Sequence, residues 1–263
     1  MKDTLLASLK LTPESHSRLG YFMKIEEIQV NIFLAAIKNL SPSKVIDVGS
    51  NIGIYSLLSK KYFPEIDVYA FEPTPSTFQH LKTNAASMEK ALNFYNKALS
   101  VETGVVEFVD FGGLSGKNGI SQTLIHGLGE AEKIIVECDT LDNLFCDTGQ
   151  RIILKIDTEG HELSVLQGGV GLLEKNTCFL QIETGYGKEK IAVQDFLSNL
   201  GYDIVFAVGP DHYYSNIRSF KEENSRLDLL TSSIDSVVSQ RWGNSPQWEQ
   251  SPKLKACQCA HSL

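Results

Sequence analysis

The chain has 263 residues, of which 42% are apolar and 21% charged. That balance excludes a disordered chain and fits one large globular domain, or a domain with an appendage. Thirty-two acidic against 24 basic residues leave a net charge of −8, which argues against nucleic acid or an anionic membrane surface as the main partner. No apolar run approaches the ~18 residues that span a bilayer. The opening MKDTLLASLKLTPE, cut by Lys10, is not expected to be a secretory signal. Cysteines at 138, 146, 178, 257 and 259 are too irregular for a disulfide framework, so a reduced, cytoplasmic setting is expected.

In chain order, Ile25, Ile28, Ile32, Ala36 and Leu40 recur at helical spacing, and Ser41-Pro42 ends the segment. Residues 1–40 read as a helical N-terminal cap. Val45–Val48 is a short buried strand that runs into glycines, Ile54–Tyr62 a helix, and Val68–Phe71 a second strand halted by Glu72-Pro73. A helix capped by Thr74, with Pro75 in its first turn, buries Phe78, Leu81, Ala85 and Met88. Phe94–Leu99 is a third strand. Val105–Val109 and Ile134–Val136 are extended segments around a glycine-rich loop from Gly112 to Gly129. Ile152–Asp157 restarts the alternation, and its helix carries Leu163, Leu166, Val170 and Leu173 on one face. A strand at Phe179–Glu183 and a helix through Val193, Phe196, Leu197 and Leu200 follow. This alternation predicts an α/β fold with a doubly wound parallel sheet. The core spans 41–210. Residues 211–263 form an extension that completes the sheet, then a loose tail from Trp242.

In such sheets ligands bind beyond the carboxyl ends of the strands. The first strand ends in Asp47-Val48-Gly49-Ser50-Asn51-Ile52-Gly53. The second ends in Glu72, about twenty residues on, where a carboxylate can accept both hydroxyls of a ribose. Asn51 replaces the middle glycine of a dinucleotide fingerprint, and no phosphate loop occurs. A phosphate-free adenosine ligand therefore fits better, and S-adenosylmethionine is the common one. A tight turn with no ligand, a nicotinamide-dependent oxidoreductase and a non-catalytic binding protein stand as alternatives.

The segments VIDVGSNIGIYS, YAFEPTPSTFQHLKTNA, NKALS, TLDNL and LKIDTEGHELSVLQGG resemble the FkbM-type family of class I S-adenosylmethionine-dependent methyltransferases, from about Val45 to Glu183 and more weakly to Phe206. The resemblance implies a Rossmann-like seven-stranded sheet whose last strand is antiparallel. It also implies methyl transfer to a hydroxyl oxygen, with sugars and natural products as acceptors; transfer to nitrogen stays open. It further implies that Asp47, Gly49, Ser50, Asn51 and Gly53 floor the methionine part and that Glu72 holds the ribose in a turn shaped by Pro73. Asn96, Lys97 and Ala98 would border the adenine. The Gly116–Gly129 stretch, with Ser121 near its middle, would close over the adenine or the acceptor. His161 departs from the small residue commoner at that place.

A hydroxyl acceptor needs a base in the transition state, and Asp157, Glu159 and His161 sit where a strand becomes a helix. Asp157 would alternatively bind only the cofactor's ammonium group, and Glu159 and Glu162 would be first-turn helix carboxylates. The helix N-terminus disfavours an imidazolium, so His161 is expected to be neutral. Asp157, Glu159 and Glu183 are a possible oxygen set for Mg²⁺, although no metal is the main expectation. Cys257 and Cys259 with His261 lack a fourth partner at structural-zinc spacing. Cys138, Cys146 and Cys178 read as small core residues, and Lys60-Lys61 as a solvated face. Tyr186, Phe206, Tyr213 and Tyr214 either wall an acceptor pocket or pack in the core. The resemblance implies a small-molecule or saccharide acceptor.

Overall fold

The computed structural model describes residues 11–15, 17–18, 26–86, 88, 90–112, 118–120, 132–184 and 187–221. Its elements are α1 (Glu27–Leu40), β1 (Lys44–Val48), α2 (Ile54–Tyr62), β2 (Asp67–Phe71), α3 (Pro75–Ala85), β3 (Asn93–Tyr95), β4 (Ala98–Leu99), β5 (Gly104–Asp110), β6 (Glu132–Asp139), α4 (Leu141–Leu144), β7 (Arg151–Ile156), α5 (Glu162–Gln167), α6 (Val170–Lys175), β8 (Thr177–Glu183), α7 (Lys188–Asn199), β9 (Asp203–Val208) and β10 (Asp211–Ser215). Seven strands form one sheet in the order β3-β2-β1-β7-β8-β10-β9, and β4, β6 and β5 form a second, smaller one. In the large sheet only β10 runs against its neighbours, between β8 and β9. This is a Rossmann-like, doubly wound arrangement with one antiparallel strand.

The central strands are buried on both faces, as parallel strands covered by helices must be. Successive side chains go to opposite faces. Val45, Val68, Ile153 and Phe179 join α1 and α2 in one core. Ile46, Val48, Leu154, Ile156, Leu180 and Ile182 join α5, α6 and α7 in the other. The helical part of the N-terminal segment, α1, thus lies on the sheet with Phe33 and Ile37 fully buried, and Ser41, in the left-handed region, ends it before Pro42. β1 pairs with β2 on one side and β7 on the other. The chain order reverses there, which opens a crevice at the carboxyl ends of the strands.

Several local expectations are corrected. The single strand over Phe94–Leu99 is two: β3 extends the large sheet beside β2, while β4 joins β6 in the small one. Asn96 forces the break, because its Nδ2 donates to the carbonyls of Glu72 (2.9 Å) and Pro73 (2.8 Å). The helix after β7 is also two. A Cβ at Gly168 would lie 2.0 Å from the Ser100 carbonyl oxygen, so the chain passes there only as glycine and the helix restarts at Val170. Lys60 is buried rather than solvated, with Nζ donating to the Ile66 carbonyl at 2.8 Å. Cys146 is exposed rather than a core residue. Tyr213 and Tyr214 are fully buried core residues. Among the described residues no helix is long and apolar enough to cross a membrane. Tyr186, Ser121, most of the Gly116–Gly129 stretch and the tail with Cys257, Cys259 and His261 lie outside the described residues.

Candidate functional site

One cleft opens at the carboxyl ends of β1, β2, β7 and β8. Its first wall is the loop after β1. The backbone N–H groups of Gly49 and Ser50 both donate to the Phe71 carbonyl, which ties that loop to the end of β2. Gly49 has φ +77°, and a Cβ on it would fall 1.8 Å from the Asp157 carbonyl oxygen, so two strand ends meet there without a side chain between them. Glu72 is buried at the same place. Its Oε2 accepts from the Asn51 N–H and its Oε1 from the Thr74 N–H, both at 2.9 Å. Burial nevertheless pushes its carboxyl up to about 7, against the pull of those hydrogen bonds. The Thr74 side chain bonds to it as well, and a carboxylate with about four lone-pair sites can still accept from a hydroxyl donor.

The second wall is a polar row that crosses the sheet. Asp47, Lys155, Gln181 and Tyr213 are register partners on β1, β7, β8 and β10, and they share the face covered by α1 and α2. Lys155 is 4% exposed. Its Nζ lies 2.8 Å from Asp157 Oδ2 and 4.6 Å from the centre of the Tyr55 ring. Burial alone would discharge it, but Asp157, Asp47 and Glu26 outweigh that and hold it firmly protonated. The Tyr55 hydroxyl donates to Glu26 Oε2 and accepts from Gln181 Nε2, each at 3.2 Å. Gln181 Nε2 also donates to Asp211 at 2.7 Å. Burial lifts Glu26 to about 7 despite Lys155. The neighbouring Asp157, then burial, lifts Glu183 to about 9.

The third wall is the turn from β7 into α5. Glu162 Oε1 collects the Thr158 N–H (2.8 Å), the Thr158 hydroxyl (2.9 Å) and the Gly160 N–H (3.3 Å). It is a clamp on the turn, with more to do than balance a helix dipole. The clamp holds Glu159 in the left-handed region, at φ +55°, a conformation a non-glycine residue keeps only when its surroundings impose it. His161 Nε2 lies 3.0 Å from the Ser100 hydroxyl. Burial lowers its pKa, so it is neutral, as expected, with burial as the leading cause.

Of the residues singled out from the sequence, Gly49, Asn51, Glu72, Pro73, Lys97, Ala98, Asp157, Glu159, His161 and Glu183 line the cleft. Asp47, Ser50, Gly53 and Asn96 lie behind it. Asp47 Oδ2 accepts from the Ser56 hydroxyl at 2.6 Å, Gly53 is the N-cap of α2, and Asn96 holds the Glu72-Pro73 carbonyls. Glu26 also lines the cleft and carried no signal in the sequence, while Asn118 lines it from the stretch expected to close over the ligand. Gly119 pairs with Val109 and packs against Glu159, so residues 118–120 cover this end of the cleft. Among the described residues no group of three His, Cys, Asp or Glu side chains could hold a metal ion, so Asp157, Glu159 and Glu183 are not gathered as an Mg²⁺ ligand set.

The cleft can therefore hold a diol at Glu72, carry cationic charge along the second wall and present carboxylates to a hydroxyl at the third. Several known proteins are similar to this chain in sequence. Methyltransferase sdnD of Sordaria araneosa is 31% identical over 47% of this chain and 59% of its own. Hexuronic acid methyltransferase AglP of Haloferax volcanii is 28% identical over 53% of this chain and 55% of its own. The 31-O-demethyl-FK506 methyltransferase FkbM of Streptomyces tacrolimicus is 40% identical over 67 residues, which are 25% of this chain and 26% of its own. The chain thus spans little more than half the length of the first two and about a quarter of the third. The family model described as the methyltransferase FkbM domain matches residues 47–204, more than half of the chain and nearly all of the cleft; the chain belongs to that family.

Proposed function

We propose that the chain transfers a methyl group from S-adenosylmethionine to a hydroxyl oxygen of a sugar or natural-product small molecule. The observation that carries the reading is Glu72: a buried carboxylate at the end of β2 that lines the cleft, oriented by two backbone N–H groups and the Thr74 side chain. A ribose with two adjacent hydroxyls satisfies it. Gly49 gives the ligand a backbone wall without a side chain, Pro73, Ala98 and Leu99 offer apolar contact to an adenine, and Asp157 with Glu26 suits an ammonium group. Family membership and the names of the relatives support the reaction class, and the FK506 methyltransferase's name supports oxygen as acceptor. S-adenosylmethionine supplies a methyl group on a sulfonium, an already good leaving group. What the protein must add is alignment, dryness and a base.

For the base, Glu159 has the better case. Asp157 is tied to Lys155 by an ion pair of 2.8 Å, which suits it to orient rather than to take a proton. Glu159 lines the cleft and is held in place by the Glu162 clamp. The acceptor's proton goes to its carboxylate as the new C–O bond forms, and neutral His161 is the alternative. The three free cysteines at 138, 146 and 178 favour a cytoplasmic setting.

Two measurements test this. Thermal unfolding with S-adenosylmethionine and S-adenosylhomocysteine should show a ligand-induced rise in Tm. Glu72→Gln should weaken both ligands by about tenfold, because a charged acceptor of two hydrogen bonds is replaced by a neutral one. Unchanged affinity in that variant removes the ribose assignment. Glu159→Gln should retain cofactor affinity and lower methyl transfer about 100-fold, read as S-adenosylhomocysteine released with the best acceptor from a panel of sugars and alcohols. Full turnover in that variant assigns the base elsewhere.

A further inference from the structure

We propose that Gly119 is a positioning residue for methyl transfer: residues 118–120 carry the small sheet across the cleft, and the bare backbone of Gly119 fixes where the Thr158-Glu159 turn of the third wall stands. The inference rests on the methyl-transfer reading above. It holds whether Glu159 or His161 takes the proton, since both follow β7 in that turn.

The small sheet shares no strand with the large one, yet Ala98, Leu99 and Phe108 bring it to the cleft, together with Asn118 and Ile120. Each of the residues 118–120 is fastened to a different partner. The Asn118 side chain accepts from the Phe111 N–H at 2.9 Å and donates to the Thr74 hydroxyl at 3.4 Å. Thr74 is wholly buried, and its N–H and side chain in turn hold Glu72. Gly119 exchanges two backbone hydrogen bonds with Val109 of β5, at 2.9 and 3.2 Å. Ile120 packs against the small core of Ala98, Phe108, Val136 and Cys138. The segment is therefore set from the first wall and from the small sheet before it meets the third wall.

There the approach leaves little room for a side chain. A Cβ on Gly119 would lie 3.2 Å from the Glu159 Cβ, 3.4 Å from the Glu159 carbonyl oxygen and 3.5 Å from that of Thr158. The residue has no positive φ, so its backbone conformation does not ask for glycine; the contact does. The turn has little freedom to retreat. Glu162 holds it through the Thr158 N–H and hydroxyl and the Gly160 N–H. Gly49 meets the preceding Asp157 carbonyl from the loop after β1, again with no Cβ between them. Two glycines, one from each sheet's side of the cleft, thus bracket the stretch from Asp157 to Glu159. A methyl group added at Gly119 displaces its neighbours by a few tenths of an ångström. Methyl transfer is in-line, and a misplacement of about 1 Å can cost about 100-fold, so that smaller shift should cost roughly five- to tenfold.

Gly119→Ala in the full chain tests this, with Gly149→Ala as control. Gly149 stands before β7, at the end of that strand away from the cleft, and a Cβ on it meets nothing within 4 Å. In NMR spectra of the backbone amides, the signals of Thr158, Glu159 and Gly160 should move in Gly119→Ala and stay in place in Gly149→Ala. S-adenosylhomocysteine should bind Gly119→Ala as it binds the wild type, because Gly119 itself does not line the cleft. With the best acceptor of the panel, kcat should fall roughly five- to tenfold while KM for S-adenosylmethionine is unchanged. Asn118→Ala unfastens the segment without adding an atom; it should move the same three signals, and it serves if Gly119→Ala does not fold. Signals that move at Val109 and Phe111 but not at Thr158–Gly160 mean that the segment yields and not the turn, which overturns the inference. A wild-type kcat with the turn signals displaced overturns it equally. Binding of neither S-adenosylmethionine nor S-adenosylhomocysteine to the wild type overturns the methyl-transfer reading, while the amide signals still report on the contact.

Discussion

Gly49→Ala is expected to cost about 3–4 kcal/mol of stability and to abolish cofactor binding. Two separate penalties add. The residue sits at φ +77°, and an L side chain in the left-handed region costs about 1–2 kcal/mol. Its Cβ would also fall 1.8 Å from the Asp157 carbonyl oxygen and 2.9 Å from its carbonyl carbon, and both atoms are backbone. No rotamer relieves that overlap. The loop after β1 must move away from the end of β7, and the first and third walls of the cleft then separate. Gly149→Ala is the control: it has φ +68° and nothing within 4 Å of the new Cβ, so it carries the dihedral cost alone. Urea unfolding of both variants isolates the overlap. Equal midpoints would mean that β1 and β7 do not meet through Gly49.

How far these features can be read from the sequence depends on whether they are local. The strand–helix alternation was legible because each central strand is a continuous apolar run bounded by turn residues, and Glu72 was legible because its distance from the glycines is set by one βαβ unit. The cut between β3 and β4 was not. It depends on Asn96 reaching two carbonyls more than twenty residues earlier in the chain, and nothing in NFYNKAL announces that. The break between α5 and α6 is a similar case, decided by the Ser100 carbonyl against Gly168. The polar row lies between these extremes. A lysine inside IILKI and a glutamine inside FLQIE are anomalies in strands that must be buried, so each marks a partnered site. That Lys155 and Gln181 are adjacent, and that Asp47 and Tyr213 extend the row, follows only from the sheet register. Glu26 had no signal at all, because its place is fixed by where α1 lands on the sheet.

Lys155→Met should be the most damaging change in the second wall, at about 3–5 kcal/mol, since removing one partner of a buried ionic group strands the other charges. The dependence on pH is the sharper expectation. Lys155 lowers the carboxyl values of Glu26, Asp47 and Asp211, which burial otherwise raises. A carboxyl whose folded value is raised gives stability that is fully present below its unfolded value and is lost as pH climbs through the folded one. Without the ammonium the folded values climb further, so ionising the wall costs the variant more than the wild type. The gap between the two proteins should be smaller near pH 5, where Glu26 is protonated in both, and should widen as pH rises through about 7, the wild-type value of Glu26. Lys155 itself stays charged throughout that window and adds no slope. Urea midpoints at pH 5 and pH 8 test the claim. A gap of the same size at both would mean that Lys155 contributes packing along its stem and its contact with Tyr55, with the carboxylates compensated by other groups. A widening gap would make one buried lysine the counter-charge for carboxyl groups on β1 and β10 and just before α1, and would tie the stability of the sheet to the ionisation state of the cleft it supports.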